Sequence, residues 1–484
     1  MRGGPALPRR SLVAAPLLAA ARAPGCPPGP LRVSRRNPRY FEAADGRPLY
    51  LAGSHSWSNA QDAAGAGEAP EPFDNEGFLR LLARGNNNLT RLWRLEGSRT
   101  GRGAWVEPQP WLRTGPGEAL DGRPRYDLTR FDPRYFARLR RRVQAAAAHG
   151  VHAIVMLFNG WSMEAHDAGD PWPWHPFNAA NNINGIDGDP GREGHGRLLA
   201  SLRLPAALAL QEAFLRRCAE ALEDCDTMLW EIANELRLGT DSIAWTRHMV
   251  GLLRRLEAGR RWPRPVGVTA PYPDRLPGTA MLAFTADSGA DWISPHGWDH
   301  WQDDPPEADG RQVQILDSDH TFGVGGDASW VWKMFLRGHS LLYMDSMASV
   351  PLAGREAPIE RLAATEDSGR RGLHATRDVA ERLDLAHALP AGRLCSSGYA
   401  LAWPGRQYVA LAPEGGRITL DLSAAAGRSL ALHWLDVEGY AGRLSPAGRV
   451  AGGGSRSFEA PFRPAVLLLE DPAPPRPGPP CQRP

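Results

Sequence analysis

Lysine and cysteine are both scarce in this chain, and the few cysteines limit the metal sites and disulfide bonds that it can form. Among 56 basic side chains only Lys333 is a lysine, a bias to which we assign no mechanism. The five cysteines are an odd number and lack paired metal-ligand spacing. This pattern predicts neither a zinc site nor a disulfide framework, so no metal and no other cofactor is expected.

The chain also lacks a strong net charge and long apolar runs. A formal charge of +2 with scattered arginines does not fit a nucleic-acid-binding surface. No stretch approaches the roughly 20 apolar residues that a membrane span requires. The sequence therefore predicts neither a nucleic-acid partner nor a transmembrane segment.

The first 36 residues have the composition of a leader. Arg2, Arg9 and Arg10 precede a short apolar run over 11–20, and Ala-Arg-Ala at 21–23 fits a small-residue cleavage site. This order is typical of a signal peptide. It predicts a protein that is secreted or periplasmic.

From residue 47 to 346, β-type runs alternate with helix-type runs, as in parallel strands joined by helical crossovers. The predicted strands are 48–54, 88–93, 151–158, 227–235, 265–269, 291–296, 312–317 and 341–344. The predicted helices are 75–84, 133–148, 205–223, 242–258 and 328–337. Eight such repeats predict an α/β fold, a (β/α)₈ TIM barrel over 37–390, whose site lies at the carboxyl ends of the strands.

Two loops at that end, 96–130 and 159–204, are unusually long. Long loops without secondary structure are usually lids or binding walls, and we expect that role here.

Beyond residue 390 the helical pattern gives way to short alternating strands at 407–412, 417–422, 430–435 and 465–470. They predict a small all-β sandwich domain over 391–471. Residues 472–484 form a proline-rich tail that cannot build a core.

The clearest chemical signal is Leu-Trp-Glu-Ile-Ala-Asn-Glu at 229–235. Strand alternation puts Glu231 and Glu235 on one face, with Glu235 nearer the barrel mouth. Partial desolvation there raises a carboxyl pKa towards the value of a general acid. Asn234 is placed to hold a sugar hydroxyl, and Glu231, deeper in the barrel, is interpreted as structural.

A second acidic signal ends the seventh strand, where Asp317 and Asp319 share the same parity. Hydrolysis of a sugar acetal needs a second carboxylate across the scissile bond, so one of the two is the candidate nucleophile. The alternative is that both aspartates cap the loop or bind water.

These residues resemble those of a known family. Asn234-Glu235 on strand four, Arg91 within Leu-Thr-Arg-Leu-Trp on strand two, and His296-Gly-Trp298 on strand six resemble the cellulase-like (β/α)₈ glycoside hydrolases of clan A. Residues 53–62, 175–182 and 316–320 are similar to uncharacterised bacterial glycoside hydrolases. The C-terminal stretches 432–436 and 458–461 resemble a small β-domain that is sometimes labelled collagen-binding.

The resemblance implies a retaining glycosidase with Glu235 as acid/base and a nucleophile at the end of strand seven. The chain departs from the family there, because the family uses glutamate and this strand offers only aspartates, with Asp317 at the corresponding position. Trp298 likewise replaces the family's strand-six tyrosine.

Further polar and aromatic residues fall at or just beyond the predicted strand ends, where aromatic faces can stack on sugar rings and polar groups can meet hydroxyls. The predicted substrate-binding residues are His55, Trp57, Arg91, Asn159, Trp161, Asn234, His296, Trp298 and Asp345.

We therefore expect a monomeric hydrolase of O-glycosidic bonds in a poly- or oligosaccharide. A catalytically silent saccharide-binding protein is one alternative, kept open by the strand-seven departure. A metal-dependent hydrolase using His55, His296, Asp317 and His320 is the other. It is disfavoured because the first strand lacks a His-x-His pair.

Overall fold

The computed structural model describes residues 29–471, apart from 58, 64–69, 71, 238, 271–286, 297–300, 324 and 346–367. Residues 1–28 of the expected leader, the proline-rich tail and the predicted substrate-binding residue Trp298 lie outside the described residues.

The larger domain is a closed barrel of eight parallel strands, each hydrogen-bonded to the next. They are β1 (Ala52–His55), β2 (Leu89–Leu92), β3 (His152–Asn159), β4 (Met228–Asn234), β5 (Val266–Thr269), β6 (Trp292–Ser294), β7 (Val313–Asp317) and β8 (Ser340–Met344). The pairing of β8 with β1 closes the ring. The predicted (β/α)₈ TIM barrel is confirmed.

The barrel strands are buried along their whole length because both of their faces are covered. All eight residues of β3 are buried, for example, although the run begins with a histidine and ends with an asparagine. A short three-stranded sheet, Arg32–Val33, Phe41–Glu42 and Pro48–Leu49, precedes the barrel. Phe41 packs with Leu89 and Ile154 from the amino-terminal halves of barrel strands, so this sheet covers that end.

Helices α1 (Asn75–Arg84), α2 (Pro133–Ala148), α3 (Pro205–Ala221), α4 (Thr240–Glu257), α5 (Ser318–Thr321), α6 (Ala328–Leu336) and α7 (Ser368–Arg382) join or follow the strands. The starts of α1 and α2 follow from capping chemistry, since Asp74 and Asp132 each accept a backbone N–H of the first turn. Helix α7 was not predicted. Its only large apolar residues are Leu373 and Val379, too few for a clear stripe.

The two long loops are not structureless, which corrects the sequence-based expectation. The first contains a hairpin of Trp111–Glu118 and Pro124–Phe131. The second contains 3₁₀ turns held by asparagine amides: Asn181 Nδ2 donates to the carbonyls of Pro173 and His175, at 2.7 and 2.9 Å. These side chains replace the backbone hydrogen bonds that regular structure would supply.

The C-terminal domain is an antiparallel β structure, as predicted. A six-stranded sheet contains β9 (Leu389–Pro390), β10 (Ala400–Trp403), β11 (Gln407–Ala412), β13 (Ser429–Asp436), β14 (Ser445–Ala451) and β16 (Ala465–Glu470), in the order β9-β10-β11-β16-β13-β14. The pair β12 (Gly416–Asp421) and β15 (Ser455–Ala460) packs against it through Ile418 and Phe458.

The two domains share a hydrophobic cluster. Trp330 of α6 and Leu373 of α7 belong to the same buried group as Leu401, Val409 and Leu468 of the six-stranded sheet. The C-terminal domain is therefore a packing partner of the barrel, and its resemblance to a collagen-binding type stays a prediction. Within the described part of the chain, no helix has the length and apolarity to cross a membrane.

A glycine in β5 gives a test of the barrel packing. A Cβ added at Gly267 would lie 1.8 Å from the Trp292 ring of the neighbouring strand. We expect Gly267→Ala to lower the free energy of unfolding by about 1–3 kcal/mol or more, because overpacking forces the buried indole to shift. Urea denaturation followed by circular dichroism measures the change.

The matched control is Gly259→Ala, since a Cβ added there meets nothing within 4 Å. Equal stability of the two variants would contradict this account of the β5–β6 contact.

Candidate active site

Glu235 stands at the carboxyl end of β4 in a left-handed backbone conformation, with φ of 42°. This region is rare for a residue with a Cβ and marks local constraint. Gly160, just after β3, allows the constraint, because a Cβ on it would lie 2.2 Å from the backbone oxygen of Glu235. A glycine on the neighbouring strand end thus lets the Glu235 backbone approach closely.

Strand β7 ends at Asp317, and helix α5 begins at the next residue. Asp317 is the N-cap of α5, and its Oδ1 accepts the backbone N–H of Asp319 at 3.1 Å. Asp319 therefore lies on a helical turn, where strand alternation does not apply. The sequence analysis placed Asp317 and Asp319 on one face because they are two residues apart on a predicted strand. That reasoning was wrong, since Asp319 is not on a strand.

Arg91 of β2 joins the strands beneath the site. Its Nε donates to Glu231 at 2.7 Å and its Nη2 makes a second contact with the same carboxylate. The guanidinium also donates to Asp317 at 3.0 Å and to Asn234 Oδ1 at 2.8 Å. Thr269 completes the group by donating to Glu231 at 2.5 Å. Every side chain in this group is buried.

Asp317 has a second basic neighbour, His55. The Nε2 of His55 lies 2.8 Å from Asp317 Oδ2, and its ring stacks on Trp93 with centroids 5.5 Å apart. Burial alone would raise the pKa of Asp317, but His55 and Arg91 outweigh it and hold that pKa well below its usual range. The Asp317 carboxylate is ionised and locked in place.

Glu235 is hydrogen-bonded at both oxygens. His296 Nε2 lies 2.9 Å from Oε1, and Asn234 Nδ2 donates to Oε2 at 3.0 Å. Burial raises the pKa of Glu235, but the bond to His296 and the bond from Asn234 lower it below its ordinary value. This direction is the opposite of the sequence-based expectation, which counted desolvation alone.

The third carboxyl, Asp319, has different surroundings from Asp317 and Glu235. Its side chain is half-buried, and the groups that hold the other two carboxylates, Arg91, His55, His296 and Asn234, are engaged with Asp317 and Glu235. Burial, followed by repulsion from Glu235 and Asp317, raises the pKa of Asp319 well above its ordinary value. Of the three carboxyls, Asp319 is therefore the one whose surroundings favour the protonated form.

Two histidines face Glu235 from the ends of β6 and β7. The rings of His296 and His320 stack with centroids 4.7 Å apart. Burial lowers the pKa of His320 to about 3, so its imidazole is neutral. Its Nδ1 lies 3.2 Å from the hydroxyl of Ser294.

The four residues that the sequence suggested as metal ligands, His55, His296, Asp317 and His320, do not form one group in the structure. His55 lies against Asp317, whereas His296 and His320 lie against Glu235. In the described part of the chain, the three-residue group that could hold a metal ion is Glu235, His296 and His320.

The other predicted substrate-binding residues differ in how exposed they are. Trp57 and Trp161 are half-buried near the strand ends, where a ring face can meet a sugar. Asn159 is buried, accepting Trp161 N–H at 3.1 Å and donating to the Arg94 carbonyl at 3.0 Å. Asp345 contacts Arg370 and accepts the Ser54 hydroxyl at 3.3 Å.

Sequence reasoning missed Glu96 and Arg370. Glu96 accepts the Asn159 N–H at 2.7 Å and lies 3.1 Å from Arg94, so it holds the end of β3. Its position just after strand two was an available signal. Arg370 belongs to α7, which the sequence analysis did not predict, and nothing in the sequence pointed to its contact with Asp345.

Comparisons with known proteins place the fold. Residues 90–246 match the model of a family described as a domain of unknown function, DUF6298. A solved glycoside hydrolase is similar at 12% identity and TM-score 0.58, covering 92% of this chain and 97% of its own. A glycoside hydrolase family 5 protein from Bacteroides vulgatus is similar at 13% identity and TM-score 0.56, covering 92% and 94%.

These structural neighbours are thus glycoside hydrolases, one of them of family 5, and at such low identities the likeness shows the fold alone. None of the curated proteins compared with the chain matches it.

The Arg91 group gives a second test. We expect Arg91→Met to lower the free energy of unfolding by about 3–5 kcal/mol, because it leaves Glu231 and Asp317 buried without their cation. Arg134→Met, at an exposed arginine paired with Asp132, should cost less than about 1 kcal/mol. Both are measured by urea unfolding, and similar losses would show that Arg91 is not a buried anchor.

Proposed function

We propose that this protein is a glycosidase whose reacting pair is Glu235 and Asp319. The observation that carries the proposal is the opposite surroundings of two neighbouring carboxyls. His296 and Asn234 contact the oxygens of Glu235 and lower its pKa, whereas burial and repulsion from Glu235 and Asp317 raise the pKa of Asp319. Two titratable groups whose surroundings push their pKa values apart are the pattern of an acid and a base.

Asp319 fits the reacting role better than Asp317. Asp317 is 1% exposed, and its oxygens are engaged by Arg91, His55 and the backbone of α5. A carboxylate held in this way positions its neighbours but has little freedom to reach a sugar. Asp319 has a half-buried side chain and lies in α5, two residues after Asp317. Asp317 is accordingly assigned as a positioning residue.

In this mechanism Asp319 gives its proton to the glycosidic oxygen as the bond to the anomeric carbon breaks. Ionised Glu235 attacks that carbon, or removes a proton from a water that does so. The family resemblance favours direct attack with retention. Glu235 then forms a glycosyl ester, and Asp319, now deprotonated, takes a proton from the water that cleaves this ester and frees Glu235. The roles of the two strand ends are then the reverse of those the resemblance implies, since Glu235 is the ionised partner.

Two other features support a saccharide as substrate. Trp57 and Trp161 offer half-buried aromatic rings near the strand ends, and indole faces stack on the apolar faces of sugars. The structural neighbours carry glycoside hydrolase names. We therefore propose hydrolysis of O-glycosidic bonds in a poly- or oligosaccharide.

The roles of Asp319 and Glu235 can be separated by comparing substrates whose leaving groups do and do not need a proton. Asp319→Asn should lose most activity on oligosaccharides, by about 10²–10⁴-fold, because the departing alcohol then receives no proton. It should keep most bond cleavage on nitrophenyl glycosides, whose leaving group needs no proton. Glu235→Gln should lose activity on both substrates. Release of nitrophenol and of reducing sugar measures these effects.

Asp317→Asn and Asp319→Asn form a matched pair on the same strand end. If Asp317→Asn shows the leaving-group dependence and Asp319→Asn does not, the assignment of Asp319 is wrong. If neither the parent nor any variant cleaves a panel of glycosides, the protein is a saccharide binder on a hydrolase scaffold.

The pKa directions also predict the pH profile of kcat/KM. Glu235 must be ionised, so activity falls as the pH drops through its pKa, below the ordinary glutamate range. Asp319 must be protonated, so activity falls as the pH rises through its elevated pKa. With a nitrophenyl glycoside, Asp319→Asn should lose the alkaline limb and keep the acidic one. Retention of both limbs would assign the alkaline limb to another group.

A further inference from the structure

The ends of β4, β6 and β7 bring three potential metal ligands together. Glu235 offers a carboxylate oxygen, and His296 and His320 each offer a ring nitrogen, all three atoms lying within 4.8 Å of one another. The three side chains are buried. They come from separate strands, so the closed barrel sets their spacing.

His320 is the most informative member of this group. Its Nε2 is buried and makes no hydrogen bond, although it lies 3.7 Å from Glu235 Oε1. Its Nδ1 lies 3.2 Å from the Ser294 hydroxyl. A histidine held through one nitrogen with the other aimed at a shared centre is the usual arrangement of a metal ligand.

The spacing also fits an ion. Ligand bonds of about 2.0–2.1 Å in a tetrahedral site imply ligand atoms roughly 3.3 Å apart. Here Glu235 Oε1 lies 2.9 Å from His296 Nε2 and 3.7 Å from His320 Nε2. Small side-chain rotations would bring all three atoms to bonding distance of one ion.

We propose that Glu235, His296 and His320 bind one divalent transition-metal ion, Zn²⁺ or a similar ion, and that this ion blocks hydrolysis. Two imidazoles and a carboxylate favour Zn²⁺, Co²⁺ or Ni²⁺ over Mg²⁺ and Ca²⁺, which prefer sites made of oxygen. The donor set leaves a tetrahedral ion one open position for water.

The blocking effect rests on the proposed function, whereas the binding does not. A carboxylate that coordinates an ion cannot attack an anomeric carbon or activate a water. Metal and substrate would therefore compete for Glu235, and Zn²⁺ would act as an inhibitor relieved by a chelator.

Binding is tested on the full-length protein after treatment with a chelator and dialysis. Calorimetric titration with Zn²⁺ should show one ion per chain, and Co²⁺ should give the visible absorption of a low-coordinate site. His320→Ala should weaken binding by more than about tenfold. Ser294→Ala, which keeps all three ligands but removes the orienting hydroxyl, should weaken it less.

The matched control is His248→Ala, because His248 forms a pair with Glu212 at 2.7 Å that has no third ligand among the described residues. Its Zn²⁺ binding should equal that of the parent. Thermal unfolding of each apo variant identifies any loss due to misfolding, and in that case Ser294→Ala decides.

The site assignment is overturned if the parent binds no Zn²⁺ or Co²⁺, or if both His320→Ala and Ser294→Ala bind as tightly as the parent. The inhibitory role is overturned if Zn²⁺ leaves the rate of glycoside cleavage unchanged or raises it. Binding without any glycosidase activity would keep the site and reject the proposed function.

Discussion

The buried guanidinium of Arg91 is the interaction on which the candidate site depends. It reaches Glu231 and Asn234 of β4 and Asp317 of β7, three strands further round the barrel. A charge without water must be paired and fully hydrogen-bonded, so these acidic groups have one acceptable arrangement. That arrangement fixes the ends of the strands that carry Glu235 and Asp319.

The same network explains why neighbouring carboxyls differ. Asp317 is ionised because Arg91 and His55 face it, and Glu235 because His296 and Asn234 donate to it. Asp319 has burial and two negative neighbours, Glu235 and Asp317, so its pKa is raised. Burial acts alike on all three, and the difference comes from which donors each strand end meets.

The two histidines beside Glu235 give the proposed catalytic site a second possible function, which is metal binding. The imidazoles of His296 and His320 beside Glu235 can hold its carboxylate for chemistry on a sugar, or share an ion with it. A single group of side chains therefore supports both the proposed glycosidase and its proposed inhibition by metal. The half-buried tryptophans near the strand ends bear only on the first.

The sequence by itself determined the barrel, most helix bounds and the strand ends at Glu235 and Asp317, because these follow from apolar periodicity and capping, which are local. The sequence analysis did not predict helix α7 or the hairpin within 96–130, because both are stabilised by contacts with residues distant in sequence. Only the tertiary structure decided that Asp317 is bound by Arg91 and His55, that the pKa of Asp319 is raised and that His320 faces Glu235. Those properties depend on charges and donors brought together by barrel closure, which no local pattern encodes.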